Sequence, residues 1–254
     1  MKKPIVIYLI RGMMRDSRHW GEFPLFLSKN IQGLEVKFID LPGSGIYCDQ
    51  KSPTRISNIV DFLRIRTGID NSNTNILLAS SLGGVVAMDW INRFHKDFEA
   101  MIMLSSSFKG ICPFNERVRP SIWKEVIQLI FALKVEKRES ILIKINANYN
   151  SFQQQHLEEW ISFQQKNKMT RINILRQSMA GLRYHVKIKP QLNIPILMIG
   201  SKSDRLVCER CIEKSSLFFG ADLIWHEKAG HSITLDDPEW TAIQIQNWLN
   251  KICN

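Results

Sequence analysis

The stretch Asn75-Ile76-Leu77-Leu78-Ala79-Ser80-Ser81-Leu82-Gly83-Gly84-Val85-Val86 joins two different patterns of apolar residues. Its first half is a continuous apolar run with the length of a buried strand. Its second half continues as a helical pattern through Met88, Ile91 and Phe94. The Ser-Ser-Leu-Gly-Gly segment therefore predicts a tight turn from a strand into a helix, with a serine hydroxyl exposed at the end of a sheet.

A serine at such a turn has the geometry of a nucleophile elbow, whose usual sequence is G-x-S-x-G. Spacing distinguishes between the two adjacent serines. With Ser81 as the nucleophile, the residues two positions away are Ala79 and Gly83, which are both small enough for a sharp turn. With Ser80 as the nucleophile, the first of them would be Leu78, which is too bulky. We therefore predict Ser81 as the nucleophile.

Two other interpretations of this turn stay open. It could be a glycine turn with an incidental serine, or a helix N-terminus that binds phosphate. The nucleotide-binding patterns G-x-x-x-x-G-K-[ST] and G-x-G-x-x-G are not found in this stretch, which disfavours the second interpretation.

The composition is that of a globular protein: 254 residues, 44% of them hydrophobic and 23% charged. One α/β domain with an insertion fits this length as well as two domains would. No apolar run approaches the ~20 residues that cross a bilayer, so we expect no membrane span. The basic and then apolar segment 1–10 is short and lacks a cleavage site, which favours a first core strand over a signal peptide.

The five cysteines are an odd number without framework spacing, at positions Cys48, Cys112, Cys208, Cys211 and Cys253. They favour reduced thiols and a cytoplasmic location over disulfides. The C-x-x-C at 208–211 has neither a second pair nor histidines at matching spacing, so we expect it to be incidental rather than a metal or redox site.

The formal charge of +10 is concentrated in one segment. Residues 108–193 contain fifteen Lys and Arg but six Asp and Glu, a net charge of +9. We call this stretch the cap segment. Any acidic partner should meet the protein there.

The remaining patterns alternate between strands and helices. We predict strands at 5–10, 35–40, 75–80, 100–104, 194–200 and 222–227, and helices at 22–27, 53–67, 82–94, 208–219 and 238–252. Within the cap segment the pattern is helical at 121–144 and 156–184. This order predicts an α/β fold with a mostly parallel sheet flanked by helices. Residues 1–107 and 194–254 would form its core, and the segment 108–193 would be a helical insertion over the sheet.

Two later strands end in the residues that a serine nucleophile requires. Asp204 follows the strand at 194–200, and His231 follows the strand at 222–227. Serine needs a base within hydrogen-bond reach, and that base needs a carboxylate to fix its tautomer. Because parallel strands place their carboxyl ends at one edge of the sheet, we predict that both residues lie near Ser81.

These residues resemble those of the α/β-hydrolase-fold serine hydrolases, in which the order is Ser, Asp, His. The resemblance runs from about Ile5 to the C-terminal helix. Its marks are the elbow at 79–84, the Gly-x-x-x-Asp-x-x-Val pattern at 200–207, Gly230-His231 before Asp237-Pro238-Glu239, and Asp40-Leu41-Pro42-Gly43-Ser44-Gly45, which is similar to a D-x-P-G-x-G loop of the family. It implies a helical cap where the basic segment lies.

The resemblance also implies an oxyanion hole. One backbone donor would be the N–H of Leu82, and the other, from the loop after the first strand, the N–H of Met13. The family's usual His-Gly-x is here Arg11-Gly12-Met13. Arg11 could be a structural residue or could bind an anionic group of the substrate. Apolar cap residues such as Trp123 could line an acyl pocket, although most such patterns reflect packing.

Together these features predict a serine hydrolase that cleaves a carboxylic ester or thioester through an acyl-serine intermediate, without a metal or organic cofactor. An alternative is a carrier-bound ester. The family includes pimeloyl-acyl-carrier-protein methyl ester esterase, whose elbow ends Ser-Leu-Gly-Gly, and the basic cap segment could dock an acidic acyl carrier protein. A catalytically inactive binding protein on the same fold is a further alternative. Charge alone would also allow nucleic acid as a partner, but the cap segment has no recognisable motif for it, so we expect none.

Overall fold

The computed structural model of the protein describes residues 3–186 and 192–252. Lys187, Lys189 and Cys253, which enter the charge and cysteine patterns above, lie outside these ranges. Within them a six-stranded sheet forms the centre of the molecule, and each neighbouring pair of strands is parallel. The strands are β1 (Ile5–Ile10), β2 (Leu34–Ile39), β3 (Thr74–Ser80), β4 (Ala100–Leu104), β5 (Ile196–Ser201) and β6 (Asp222–His226), in the order β2-β1-β3-β4-β5-β6.

Helices cover both faces of the sheet and fill the segment between β4 and β5. They are α1 (Phe23–Asn30), α2 (Ile56–Thr67), α3 (Leu82–Arg93), α4 (Phe114–Arg117), α5 (Trp123–Phe131), α6 (Val135–Asn146), α7 (Asn150–Lys166), α8 (Arg171–Arg183), α9 (Glu209–Phe219), α10 (Ile233–Asp236) and α11 (Pro238–Ile252). None of the described helices is both long and apolar enough to cross a bilayer.

Side-chain alternation along the strands builds a hydrophobic core on each face of the sheet. In β1, Val6, Tyr8 and Ile10 pack on the side of α2, α3 and α9. Ile7 and Leu9 point to the other face, towards α1 and α11. Both faces of the inner strands are buried, which explains why β1, β3, β4 and β5 are mostly apolar runs.

The boundaries predicted from the sequence differ from those in the structure mainly for the helices. Helix α2 begins at Ile56 rather than at Pro53, because Arg55 has an extended backbone. Each of the two long helical patterns of the cap segment is divided into two helices. The first is interrupted where Ala132 and Lys134 are extended, and the second between Lys166 and Arg171.

The expectation that all cysteines are reduced thiols is wrong for one pair. Cys112 and Cys211 form a disulfide across a sequence separation of 99 residues, with their Cα atoms 5.7 Å apart. Both residues are buried in the same core cluster, beside α9, so tertiary packing brings them together. Cys211 therefore pairs with a distant residue rather than with Cys208, which is free, as is Cys48.

The strand register places two loops side by side at the carboxyl end of the sheet. Ile10 of β1 is opposite Ala79 of β3. The residues that follow each strand, Arg11-Gly12 and Ser80-Ser81, therefore leave the sheet as neighbours. This juxtaposition forms the candidate active site.

Candidate active site

Ser81 occupies the turn between β3 and α3 with an unusual backbone conformation. Its φ is 55° and its ψ is −119°, a region that non-glycine residues rarely adopt. The Ser81 N–H donates to the Leu104 carbonyl at 2.9 Å, which ties the turn to the end of β4. Strained backbone of this kind persists where the surrounding structure determines it, and it is concentrated at functional sites.

The two glycines after Ser81 allow α3 to begin close to its neighbours. A Cβ atom on Gly83 would lie 2.7 Å from the Ile10 carbonyl oxygen, and one on Gly84 would collide with the Ser106 side chain. Ala79, in contrast, is fully buried in β3 and its methyl group packs in the core. The first glycine of the usual elbow pattern is therefore not needed here.

The structure brings the three predicted side chains into one hydrogen-bonded chain. His231 Nε2 lies 3.0 Å from Ser81 Oγ, and His231 Nδ1 lies 2.8 Å from Asp204 Oδ2. The other carboxylate oxygen of Asp204 accepts the N–H groups of Leu206 and Val207 at 2.7 and 3.0 Å. Asp204 and His231 are almost completely buried. The imidazole is therefore held between a fixed carboxylate and the serine hydroxyl.

The loop after β1 passes directly beside the serine. A Cβ atom on Gly12 would lie 2.9 Å from Ser81 Cβ and 3.4 Å from Ser81 Oγ, so only glycine fits here without displacement. Met13, the next residue, is partly exposed. Leu82 is the first residue of α3, and the first N–H groups of a helix have no partner within it. Both predicted oxyanion donors thus belong to segments that adjoin Ser81.

Arg11 is buried and contacts the loop that carries His231. Its guanidinium donates to Ser232 Oγ at 3.2 Å and to Thr234 Oγ1 at 3.4 Å, and it stacks on Trp20 at 4.6 Å. Burial lowers the pKa of Arg11 to about 9, which still leaves the group charged at neutral pH. These contacts connect the loop after β1 with the loop that carries His231.

A second set of buried charged residues joins the β1 loop to the cap segment, and the sequence patterns did not indicate it. Arg15 forms an ion pair with Glu139 of α6 at 2.6 Å and stacks on Trp160 of α7 at 4.1 Å. Arg138 approaches the other carboxylate oxygen of Glu139 at 3.6 Å. In the sequence, Arg15, Arg138 and Glu139 look like ordinary charged residues of a protein surface. Their burial follows from the packing of α6 on the loop after β1.

His19 and Asp16 extend this contact. His19 is completely buried, and its ring packs against Trp160 and Phe163 with centroid distances of 5.2 and 5.4 Å. Its Nδ1 accepts the Asp16 N–H at 3.1 Å. Burial lowers the pKa of His19 to about 4, so the ring is neutral at pH 7. The Asp16 carboxylate in turn forms two hydrogen bonds to Arg18, at 3.0 and 2.7 Å.

Helix α8 of the cap segment reaches the residues next to Ser81. Ser178 of α8 donates to the Met13 sulfur at 3.1 Å, and Gly181 of α8 lies against Leu82. Helix α8 therefore covers both predicted oxyanion residues. Trp123, at the start of α5, is partly exposed and donates its indole N–H to the Val118 carbonyl.

Among the residues that the structure describes, no three His, Cys, Asp or Glu side chains are grouped as ligands for a metal ion. The residues around Ser81 offer a hydroxyl, an imidazole, a carboxylate and backbone N–H groups.

Comparison with known proteins identifies the class. The structure has the α/β-hydrolase fold, and the chain belongs to the family described as serine aminopeptidase, S33, whose sequence profile matches residues 4–236. No curated protein sequence matches the chain.

Solved structures match nearly the whole chain at low identity. An esterase from Thermogutta terrifontis has a TM-score of 0.74 and 16% identity, covering 99% of this chain and 92% of its own. The esterase RhEst1 from Rhodococcus sp. ECU1013 has a TM-score of 0.75 and 14% identity, and the match covers 97% of this chain and 90% of that esterase. A lipase-esterase related protein from Clostridium acetobutylicum ATCC 824 has a TM-score of 0.72 and 16% identity, with coverages of 97% and 95%. Identities this low establish a shared fold.

Proposed function

We propose that this protein is a serine hydrolase of carboxylic esters that works through an acyl-Ser81 intermediate. The observation that carries the proposal is the hydrogen-bonded chain Ser81–His231–Asp204, with distances of 3.0 and 2.8 Å. Membership of a serine hydrolase family and the fold shared with several esterases support it. Thioesters would react by the same steps.

In the first half-reaction Ser81 Oγ attacks the ester carbonyl carbon and its proton moves to His231 Nε2. The carbonyl oxygen becomes an oxyanion, which the N–H groups of Leu82 and Met13 stabilise, and each such donor is typically worth about 3 kcal/mol of barrier. The tetrahedral intermediate then collapses, and the departing alkoxide takes the proton from Nε2. Asp204 stabilises the imidazolium throughout.

In the second half-reaction water attacks the acyl-Ser81 carbonyl and gives a proton to His231 Nε2. Collapse of this second intermediate releases the carboxylic acid and returns the proton to Ser81 Oγ. The strained backbone at Ser81 is part of this proposal, because it exposes the hydroxyl beside both backbone donors.

The name of the matching family suggests peptides as a second substrate class. An aminopeptidase substrate carries a positively charged amino group close to the scissile bond. The pKa of Arg11 is lowered mainly by burial and also by the positive charge of Arg15. The Arg11 guanidinium donates to the hydroxyl oxygens of Ser232 and Thr234 rather than to a carboxylate. Its positive charge beside the loop of His231 disfavours an ammonium group, so we assign the ester as the substrate. No contact among the described residues favours a carrier-bound ester, which is therefore not part of the proposal.

A fluorophosphonate probe and a panel of p-nitrophenyl esters of increasing acyl length test this function. The wild type should be labelled and should hydrolyse the esters faster than leucine p-nitroanilide. Ser81→Ala should abolish labelling and lower kcat by roughly 10⁶. Ser80→Ala is the matched control, since Ser80 is the adjacent serine but its side chain is not part of the chain to His231, and it should retain labelling.

The absence of labelling in the wild type, or labelling that survives in Ser81→Ala, would reject the nucleophile. An inactive binding protein on this fold would then be the better interpretation. Faster hydrolysis of the anilide than of all esters would reject the ester assignment alone.

A further inference from the structure

Helices α5 and α8 expose an unusual amount of apolar surface. We define the apolar cap face by its exposed residues: Trp123, Ile127, Ile130, Phe131, Leu133, Ile172, Leu175, Met179 and Leu182. Phe131 and Leu133 are 75% and 80% exposed. A large apolar patch of this kind on a protein surface commonly marks an interaction site.

The exposed residues form one stripe on each helix. In α8 the stripe occupies positions i, i+3, i+7 and i+10 from Ile172, which lie on one face of a helix. The opposite face of α8, including Gln177 and Ala180, is buried against the core. In α5 the stripe runs through Trp123, Ile127 and Ile130 at positions i, i+4 and i+7. Each helix therefore turns an apolar stripe to the solvent.

The two stripes belong to one surface because the helices are joined. The Arg171 guanidinium at the start of α8 donates to the Ala132 carbonyl at 2.9 Å and to the Ile130 carbonyl at 3.5 Å, at the end of α5. Beneath this junction, Leu129 of α5 and Ile174 of α8 pack on the same cluster around Met14 and Leu142.

Cations surround this surface. Helix α8 contains three arginines and no acidic residue. Lys124 lies in α5 and Lys134 comes shortly after it. Lys168 precedes α8, and Arg171 is its first residue. All four side chains are exposed. Against these, Glu125 and Glu136 are the acidic residues in and next to α5. The face is thus apolar with a positive margin.

We propose that the apolar cap face docks the protein on the surface of an anionic phospholipid bilayer. Apolar side chains on amphipathic helices enter the boundary between headgroups and acyl chains, while Lys and Arg meet the anionic headgroups. An acidic protein would satisfy the lysines and arginines but would leave side chains such as Phe131 and Leu133 in water. A bilayer accommodates both kinds of residue.

The apolar cap face lies near the candidate active site, because α8 contributes to both. Ser178 and Gly181, which flank the stripe on α8, contact Met13 and Leu82 beside Ser81. A docked bilayer would therefore lie close to the candidate active site. Binding itself does not depend on hydrolysis, so it can be tested without activity.

Sedimentation with sucrose-loaded vesicles of phosphatidylcholine, with and without phosphatidylglycerol, tests the proposal. The inactive Ser81→Ala protein serves as the reference and should partition to the anionic vesicles much more strongly. In that background Phe131→Ser with Leu175→Ser should weaken binding roughly tenfold or more, since two apolar side chains no longer enter the bilayer. Lys134→Gln and Lys168→Gln should each weaken it about fivefold on anionic vesicles.

Matched controls are Ile65→Ser on α2 and Leu217→Ser on α9, which remove side chains that are 82% and 74% exposed elsewhere on the surface. They should leave binding unchanged, and all variants should keep the thermal midpoint of unfolding of the reference. Three results would overturn the proposal: no preference for anionic vesicles, equal loss in the control variants, or no vesicle binding together with self-association or binding of an acidic acyl carrier protein through this face.

Discussion

The protein holds its candidate catalytic residues and its cap segment in different ways. In the core, backbone groups fix the side chains: the Ser81 N–H bonds to the Leu104 carbonyl, and Asp204 accepts two backbone N–H groups. The cap segment is joined to the loop after β1 through side chains, chiefly the buried pair Arg15–Glu139. The sheet thus determines the geometry around Ser81, whereas buried side chains, the ion pair and the apolar cluster around Met14 among them, hold the cap segment in place.

The core side of this comparison is tested most strongly by Asp204→Asn. The Asn carbonyl can still accept the N–H groups of Leu206 and Val207, but its NH₂ would face His231 Nδ1. The imidazole would then carry its proton on Nε2 and could not accept the Ser81 proton. We expect kcat for a p-nitrophenyl ester to fall by about 10⁴, with little change in the thermal midpoint of unfolding. A loss of activity below tenfold would show that Asp204 is not the orienting acid.

The cap side is tested by Glu139→Gln. This change removes the carboxylate between Arg15 and Arg138 and leaves two buried cations without a counter-charge. We expect the free energy of unfolding to fall by about 3 kcal/mol or more, measured by urea denaturation. Glu136→Gln is the matched control on the same helix, because Glu136 is exposed, and it should change stability by less than about 0.5 kcal/mol. Equal effects of the two variants would contradict the proposed role of the buried pair.

A smaller effect is expected for His19, at the same contact between the loop after β1 and the cap segment. It concerns the pH dependence of the free energy of unfolding. His19 is neutral in the folded protein because burial lowers its pKa to about 4, whereas the unfolded chain has its ordinary pKa of 6.5. The unfolded state therefore binds a proton first as the pH falls. The stabilisation is complete above pH 6.5 and is lost progressively between pH 6.5 and 4.

For this reason the wild type should lose about 2 kcal/mol more than His19→Gln when the pH is lowered from 7 to 4.5. Urea unfolding of both proteins at each pH measures the difference. His95→Gln, which changes an exposed histidine, should follow the wild type. If His19→Gln and the wild type lose the same free energy, His19 is not a buried neutral residue.

The smallest effect is expected at Arg11, which joins the loop after β1 to the loop that carries His231. Arg11→Met removes the donors to Ser232 and Thr234, which flank the loop of His231. We expect kcat to fall about tenfold for neutral and anionic esters alike, with KM nearly unchanged, because the loop loses its fixed position. If Arg11 instead binds an anionic substrate group, KM would rise for anionic esters and neutral esters would be unaffected.

The sequence indicated the core of the molecule well because its signals are local. Apolar runs of strand length, Gly68 after α2 and the serine–glycine turn at 80–84 each depend on neighbouring residues, and the structure has the corresponding elements. The predicted helix boundaries were less accurate in the cap segment. Apolar spacing continued across Ala132 to Lys134, so it could not show that the backbone becomes extended there.

By itself the sequence determined the alternation of strands and helices, and with it the parallel sheet and the strand ends at which Ser81, Asp204 and His231 stand. The tertiary structure alone decided the partners across the chain: Cys112 with Cys211, Arg15 with Glu139, and Arg11 with the histidine loop. It also decided that the apolar stripes of α5 and α8 face solvent. The physical reason is that helix and strand patterns arise from neighbouring residues, whereas the burial of a charge, a thiol or an apolar stripe depends on which distant segment packs against it.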